Sequence, residues 1–159
     1  MANIMVVDDD YFIRRLVREI LTCNKHNVLE ASDGLEALIT INLNAPLKAL
    51  PDVIFMDHQM PRLSGIDCAR QLKTRYHSLN IVLMSGSFGI DDDGYLASNK
   101  YLFTDILLKP FGIKDVVSTV EYALERKTQR RVELAECCYS AQTRMNTLRA
   151  KARSFSLLA

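Results

Sequence analysis

Short apolar runs of strand length alternate along the chain with segments whose apolar residues recur every three or four positions. Ile4 to Val7 is an unbroken apolar run, a buried-strand candidate. Ile13, Leu16, Val17, Ile20 and Leu21 then repeat with the spacing of one helix face. Asn27 to Ala31 predicts a second, weaker strand, and Leu35, Leu38 and Ile39 open a second helix. Asn44 to Pro51 holds two prolines and predicts a loop. Val53-Ile54-Phe55-Met56 is a third strand, apolar throughout, as strands covered on both faces of a parallel sheet are. Gly65 precedes a third helix marked by Ile66, Ala69 and Leu72. Ile81 to Met84 and Ile106 to Leu108 predict strands four and five, with a short helix around Tyr95 to Tyr101 between them.

After Gly112 the chain has neither Gly nor Pro. Ile113, Val116, Val117, Val120 and Leu124 share a helix face. Beyond Arg126, Leu134, Cys138, Ala141, Met145, Leu148, Ala152 and Phe155 follow steps of four and three, a heptad-like seam. Five strands alternating with helices predict a doubly wound α/β domain with a parallel sheet and an extended C-terminal helix. The expected division is 1–125 for that domain and 126–159 for a basic helical extension.

Charge sharpens the division. Residues 126–159 carry eight Lys/Arg and two acids, +6, whereas the rest carries twelve against seventeen, −5. Apolar residues make up 48% of the chain and charged ones 25%, enough for a sizeable core and a solvated surface. The first apolar run stops at three aspartates, so it is no secretory signal, and no run reaches membrane-spanning length. Cysteines 23, 68, 137 and 138 make no C-x-x-C pair. Reduced, structural thiols and a cytoplasmic location are expected. The tail lacks helix-turn-helix, zinc-ligand or interleaved aromatic signals, so nucleic acid is not an expected partner. Its seam, half small or polarizable residues, admits a homodimer and equally a tail that packs on its own domain or frays.

In doubly wound sheets functional groups gather beyond the carboxyl ends of the strands. Strand one ends in Asp8-Asp9-Asp10, strand three in Asp57, strand four in Ser85-Gly86 and strand five in Lys109-Pro110. Clustered carboxylates repel one another. A hard divalent cation relieves that repulsion, and Mg²⁺ takes carboxylates, carbonyls and waters. Phosphoryl transfer needs this kind of charge neutralisation and positioning. Asp57 can serve as the nucleophile forming an acyl phosphate, with Lys109 and Ser85 available to phosphoryl oxygens. Asp10 is expected to cap the first helix. His58 is expected to point away from the site, and His26 and His77 read as surface residues. Asp91-Asp92-Asp93 lacks calcium-loop spacing.

Together these residues resemble the receiver domain of two-component response regulators, the CheY-like family. The matching stretches are Ile4 to Asp10, Glu30 to Leu38, Asp57-His58-Gln59-Met60-Pro61-Arg62-Leu63-Ser64-Gly65, Met84-Ser85-Gly86 and Lys109-Pro110-Phe111. The resemblance implies a flavodoxin-like sheet of order 2-1-3-4-5. It implies Asp57 as phosphoacceptor, and Mg²⁺ held by Asp9, Asp57, the Gln59 backbone carbonyl and, through water, Asp8. Ser85 and Lys109 take the hydroxyl and lysine positions, and Pro110 follows a cis peptide. The implied donor is a phosphohistidine on a sensor histidine kinase or phosphotransfer protein. The protein is then a signalling switch acting by protein contact, without a conventional DNA-binding output domain, and not an enzyme beyond weak autodephosphorylation.

Where that family carries Tyr or Phe, three residues before the Lys-Pro pair, this chain has Ile106, which predicts a non-standard output. Two other classes compete. A haloacid dehalogenase-like phosphatase needs an acid two residues after the nucleophile, where Gln59 stands. A non-phosphorylated pseudo-receiver does not need Asp8, Asp9, Asp57, Ser85 and Lys109 together.

Overall fold

The computed structural model describes residues 1–45, 50–86 and 98–156. Beyond Cys137 it describes the side chains of Tyr139, Gln142 and Met145. The elements are β1 (Asn3–Val7), α1 (Tyr11–Cys23), β2 (Asn27–Ala31), α2 (Gly34–Asn44), β3 (Val53–Asp57), α3 (Gly65–Arg75), β4 (Asn80–Ser85), a 3-10 turn (Lys100–Leu102), β5 (Asp105–Leu108) and α4 (Ile113–Ser156). The Tyr95 to Tyr101 helix and the Asp91-Asp92-Asp93 run fall largely or wholly outside the described residues. Within them, Ser98 and Asn99 are helical and lead into the 3-10 turn.

All strand pairs are parallel, in the order β2-β1-β3-β4-β5. Successive strand residues face opposite sides, and this sorts the core into two layers. Met5, Val7, Ile54, Met56, Ile81 and Leu83 pack toward α2 and α3. Ile4, Val6, Val53, Phe55, Val82 and Met84 pack toward α1 and the first turns of α4. β3 is buried along its whole length. Phe55 has no exposed surface, and cutting it to alanine is expected to cost about 3–5 kcal/mol.

The helix starts are encoded locally. Asp10 accepts from the N–H groups of Phe12 and Ile13 at 2.8 and 3.4 Å, capping α1 as the sequence predicts. Asp33 does the same for Leu35 and Glu36 at the start of α2. Ser64 Oγ accepts from the Asp67 N–H and donates to its carboxylate, capping α3. The predicted face of α2 is corrected, and that of α4 holds for Val116, Val117, Val120 and Leu124 but not for Ile113. On α2 the buried residues are Gly34, Ala37 and Ile41, while Leu35 and Ile39 are exposed. On α4 Val116, Val120 and Ala123 are buried, and Ile113 is exposed.

The chain divides into two compact units, 1–125 and 126–159. The second is helical to Ser156. Leu134 and Met145 of the predicted seam are exposed, and the side chains of its other members lie outside the described residues. No helix among the described residues is long and apolar enough to cross a membrane.

Candidate functional site

The parallel register brings the carboxyl ends of β1, β3, β4 and β5 to one edge. Val7 pairs with Met56, Asp57 with Met84, and Ser85 with Leu108. The next residues are Asp8 after β1 and Lys109 after β5, both cast toward β3. The Lys109 ammonium donates to Asp57 Oδ1 at 2.5 Å and to Asp8 Oδ2 at 2.7 Å. Asp8 is fully buried and Asp57 nearly so. The Gln59 N–H donates to the second Asp57 oxygen at 2.9 Å, and the Asp10 N–H donates to Asp8 Oδ1 at 2.9 Å. Ser85 is buried beside them, and its carbonyl accepts the Lys109 N–H at 2.7 Å. The Lys109-Pro110 peptide is cis.

The electrostatics follow from burial. Asp8 is pushed above its ordinary 3.8 mainly by desolvation, helped by the Asp57 charge and opposed by Lys109. Desolvation, the largest influence on Lys109, pulls it down. Its hydrogen bonds and charge contacts with Asp57 and Asp8 together outweigh that, and it ends above its ordinary 10.5.

Asp8, Asp57 and Lys109 are therefore brought into direct contact, and Ser85 adjoins them through the Lys109 backbone. Asp9 and Gln59 are exposed on the two flanking loops. Among the described residues no three Asp, Glu, His or Cys side chains converge on one point that could hold a cation. The donor chemistry still fits a hard divalent ion. Two buried carboxylates share a single ammonium, which leaves the pocket net negative, and every candidate donor is oxygen. Asp9 has no hydrogen-bond or ion-pair partner among the described residues, so its carboxylate is not committed elsewhere.

Some supporting residues are not legible from sequence pattern. Asp33, 2% exposed, both caps α2 and pairs with Arg62 in the loop after Asp57. Arg62 holds a left-handed backbone angle, φ 66°, which a non-glycine residue keeps only when its surroundings hold it. Gly34 and Gly65 sit where a β-carbon would meet the Leu63 and Asp57 carbonyl oxygens at 2.8 and 1.9 Å. Together they fit the β3–α3 loop against α2 and the site. His58 is half-exposed, and its N–H continues the sheet ladder to the Met84 carbonyl at 2.9 Å. His26, predicted as a surface residue, is half-buried with an unpartnered Nδ1.

A five-stranded parallel sheet of this order, with acids and a lysine at its carboxyl edge, is the CheY-like flavodoxin fold of signalling receivers. The response regulator receiver domain protein of Clostridium thermocellum superposes with a TM-score of 0.71 at 28% identity, covering 81% of this chain and 98% of that one. The receiver domain of NtrX from Brucella abortus gives 0.66 at 31% identity, covering 77% and 98%. Residues 4–121 match the family described as response regulator receiver domain, and the chain belongs to that family. Response regulator MprA of Mycobacterium sp. (strain KMS) is 32% identical over 125 residues, 79% of this chain and 51% of the relative. That of Mycobacterium avium (strain 104) is 32% identical over 124 residues, 78% and 51%. The chain spans about half the length of these curated relatives. Receiver domains are signalling proteins of two-component systems, generally not classical enzymes, and they typically bind Mg²⁺ at the acidic pocket.

Proposed function

We infer that this protein is a phosphorylation switch in which Asp57 accepts a phosphoryl group from a phosphohistidine donor, a sensor histidine kinase or phosphotransfer protein. The observation that supports it best is the Lys109 ammonium bonded to both Asp8 and Asp57 at the carboxyl edge of the sheet. Asp8, Asp9, Asp57 and the Gln59 carbonyl are the residues that would hold Mg²⁺, which when bound supplies neutralisation for the phosphoryl oxygens.

The chain's own groups do the rest. A carboxylate oxygen of Asp57 attacks phosphorus, forming the acyl phosphate as the bond to the donor imidazole breaks. Lys109 pairs with one phosphoryl oxygen and Ser85 donates to another. The Gln59 and Asp10 N–H groups keep the Asp57 and Asp8 carboxylates oriented. The phosphorylated protein signals through protein contacts, with Ile106 in place of an aromatic ring on the output side. Release of phosphate is a slow side reaction, not turnover of a substrate. Residues 1–125 form the receiver, and 126–159 is an extension whose heptad-like seam supports self-association.

Acetyl phosphate with Mg²⁺ tests the reading. The parent chain is expected to take up stable label and Asp57→Asn none. Catalytic release of phosphate without stable label would favour a phosphatase, and absence of both would favour a pseudo-receiver.

A further inference from the structure

We propose that Arg14 is a positioning residue for the acidic pocket, acting through the backbone of Asp8 and Asp9. The inference rests on the phosphoacceptor reading and deepens it. Arg14 lies one turn into α1, and its side chain is largely buried, 15% exposed. One guanidinium nitrogen, Nη1, donates to the Asp8 carbonyl at 2.7 Å. Nε faces Glu30 Oε1 of β2 at 3.6 Å, and the Tyr11 ring lies 5.7 Å from the guanidinium carbon. The fork is thus held on one side by an acid and on another by an aromatic face, and it spends a charged donor on one backbone oxygen.

That oxygen matters because a peptide unit is planar. Fixing the Asp8 carbonyl fixes the plane it shares with the Asp9 N–H, and with it the place of the Asp9 Cα from which the side chain springs. Asp8 is secured on its other side, its N–H donating to the Ala31 carbonyl at 3.3 Å and its Oδ1 accepting from Asp10. Asp9 has no such support. Its carboxylate lacks a partner among the described residues, so backbone position alone aims it. Among the described residues, Arg14 is the side chain that donates to that segment's main chain. Residues that orient a metal ligand without touching the metal typically change affinity when replaced.

Arg18 provides an internal control. It pairs with the same Glu30, Nη1 to Oε2 at 2.9 Å, but among the described residues it is Arg14, not Arg18, that bonds to the Asp8-Asp9 backbone. A merely structural role for the Arg–Glu cluster therefore predicts similar behaviour of both arginines, whereas positioning predicts a split.

The experiment is Mg²⁺ titration calorimetry on the full chain, with melting in EDTA and acetyl phosphate labelling in parallel, for the parent, Arg14→Ala, Arg14→Lys and Arg18→Ala. Arg14→Ala is expected to bind Mg²⁺ about tenfold more weakly, with labelling restored by raised Mg²⁺. Arg14→Lys should fall between, since it keeps the charge and loses the fork. Arg18→Ala should bind like the parent even if it melts lower. If Arg14→Ala is too unstable to assay, Arg14→Lys carries the same comparison. Parent-like Mg²⁺ affinity in both Arg14 variants, or an equal loss in Arg18→Ala, overturns the positioning role. A parent chain that binds no Mg²⁺ and takes no label overturns the phosphoacceptor reading instead, and this role falls with it.

Discussion

A β-carbon on residue 65 would lie 1.9 Å from the backbone oxygen of Asp57. Gly65 opens α3, and its N–H donates to the His58 carbonyl at 3.1 Å, so the loop bearing Gln59 closes on a point where no side chain fits. Gly65→Ala must push the loop away from the end of β3. It is expected to lower unfolding free energy by about 1–3 kcal/mol, read by urea denaturation, and to slow acetyl phosphate labelling. A variant as stable and as readily labelled as the parent would show that the loop relaxes freely.

Asp8 gives a pH signature. Its folded pKa is raised above the ordinary 3.8, chiefly by burial, so the folded state holds that proton more tightly than the unfolded chain. The stability this confers is complete below 3.8 and lost as pH rises through the folded value. At pH 7 the ionised carboxylate is therefore a cost. In EDTA at pH 7, Asp8→Asn should melt higher than the parent, and the gap should narrow on acidification toward pH 4. Equal melting at pH 7 would refute it. Lys109, raised above 10.5, contributes stability that is complete below 10.5 and is lost only as alkaline pH passes its folded value.

The thiols should separate by burial. Cys68 is fully buried, donates to the Gly34 carbonyl at 3.3 Å, and is pushed up to about 12 by desolvation. Cys23 and Cys137 are exposed. Thiolate is the reacting form, so a disulfide reagent should modify the exposed pair quickly and Cys68 only on unfolding. Mass mapping of the modified peptides checks this, and early labelling of Cys68 would contradict it.

The strands and the site acids were legible because both are local signals. Apolar runs of four, such as Val53 to Met56, mark strands buried on both faces, and the polar residues that follow them make up the candidate site. The faces of α2 were not. Leu35 and Ile39 are large and apolar yet exposed, while Gly34, Ala37 and Ile41 are buried with Leu38 packed beside them, a face the size of the side chains does not announce. The Asp33–Arg62 pair and the Asp57–Gly65 contact join residues 29 and 8 positions apart. No periodicity encodes them, since each exists only once the sheet has set the loops side by side.

The extension offers a hydrodynamic test. Leu134 and Met145 are exposed on its helix, and the seam they belong to spans residues 134–155 in steps of four and three. The full chain is expected to sediment as a dimer, and a chain ending at Arg126 as a monomer. Two monomers would remove self-association through this segment.

Asn80 shows how deeply the last helix is tied to the sheet. Fully buried, it donates through Nδ2 to the Ala123 carbonyl at 2.9 Å, and its Oδ1 accepts from Thr104 Oγ1 at 3.3 Å. Replacing it with alanine removes both bonds and opens a gap beside the helix, and a loss of about 1–3 kcal/mol is expected, measurable by urea denaturation. An unchanged midpoint would show that water takes over the bond.

Lys109 has a mechanical consequence for the sheet's margin. β5 is an outer strand with only Leu107 buried along it, yet the lysine that follows it reaches past β4 to carboxylates at β1 and β3. The rim is fastened to the middle by charge rather than by grease. That fastening is largely buried, so salt should loosen β5 little, whereas β2 at the opposite rim, whose Glu30 pairs with Arg14 and Arg18 nearer the solvent, should fray faster as ionic strength rises.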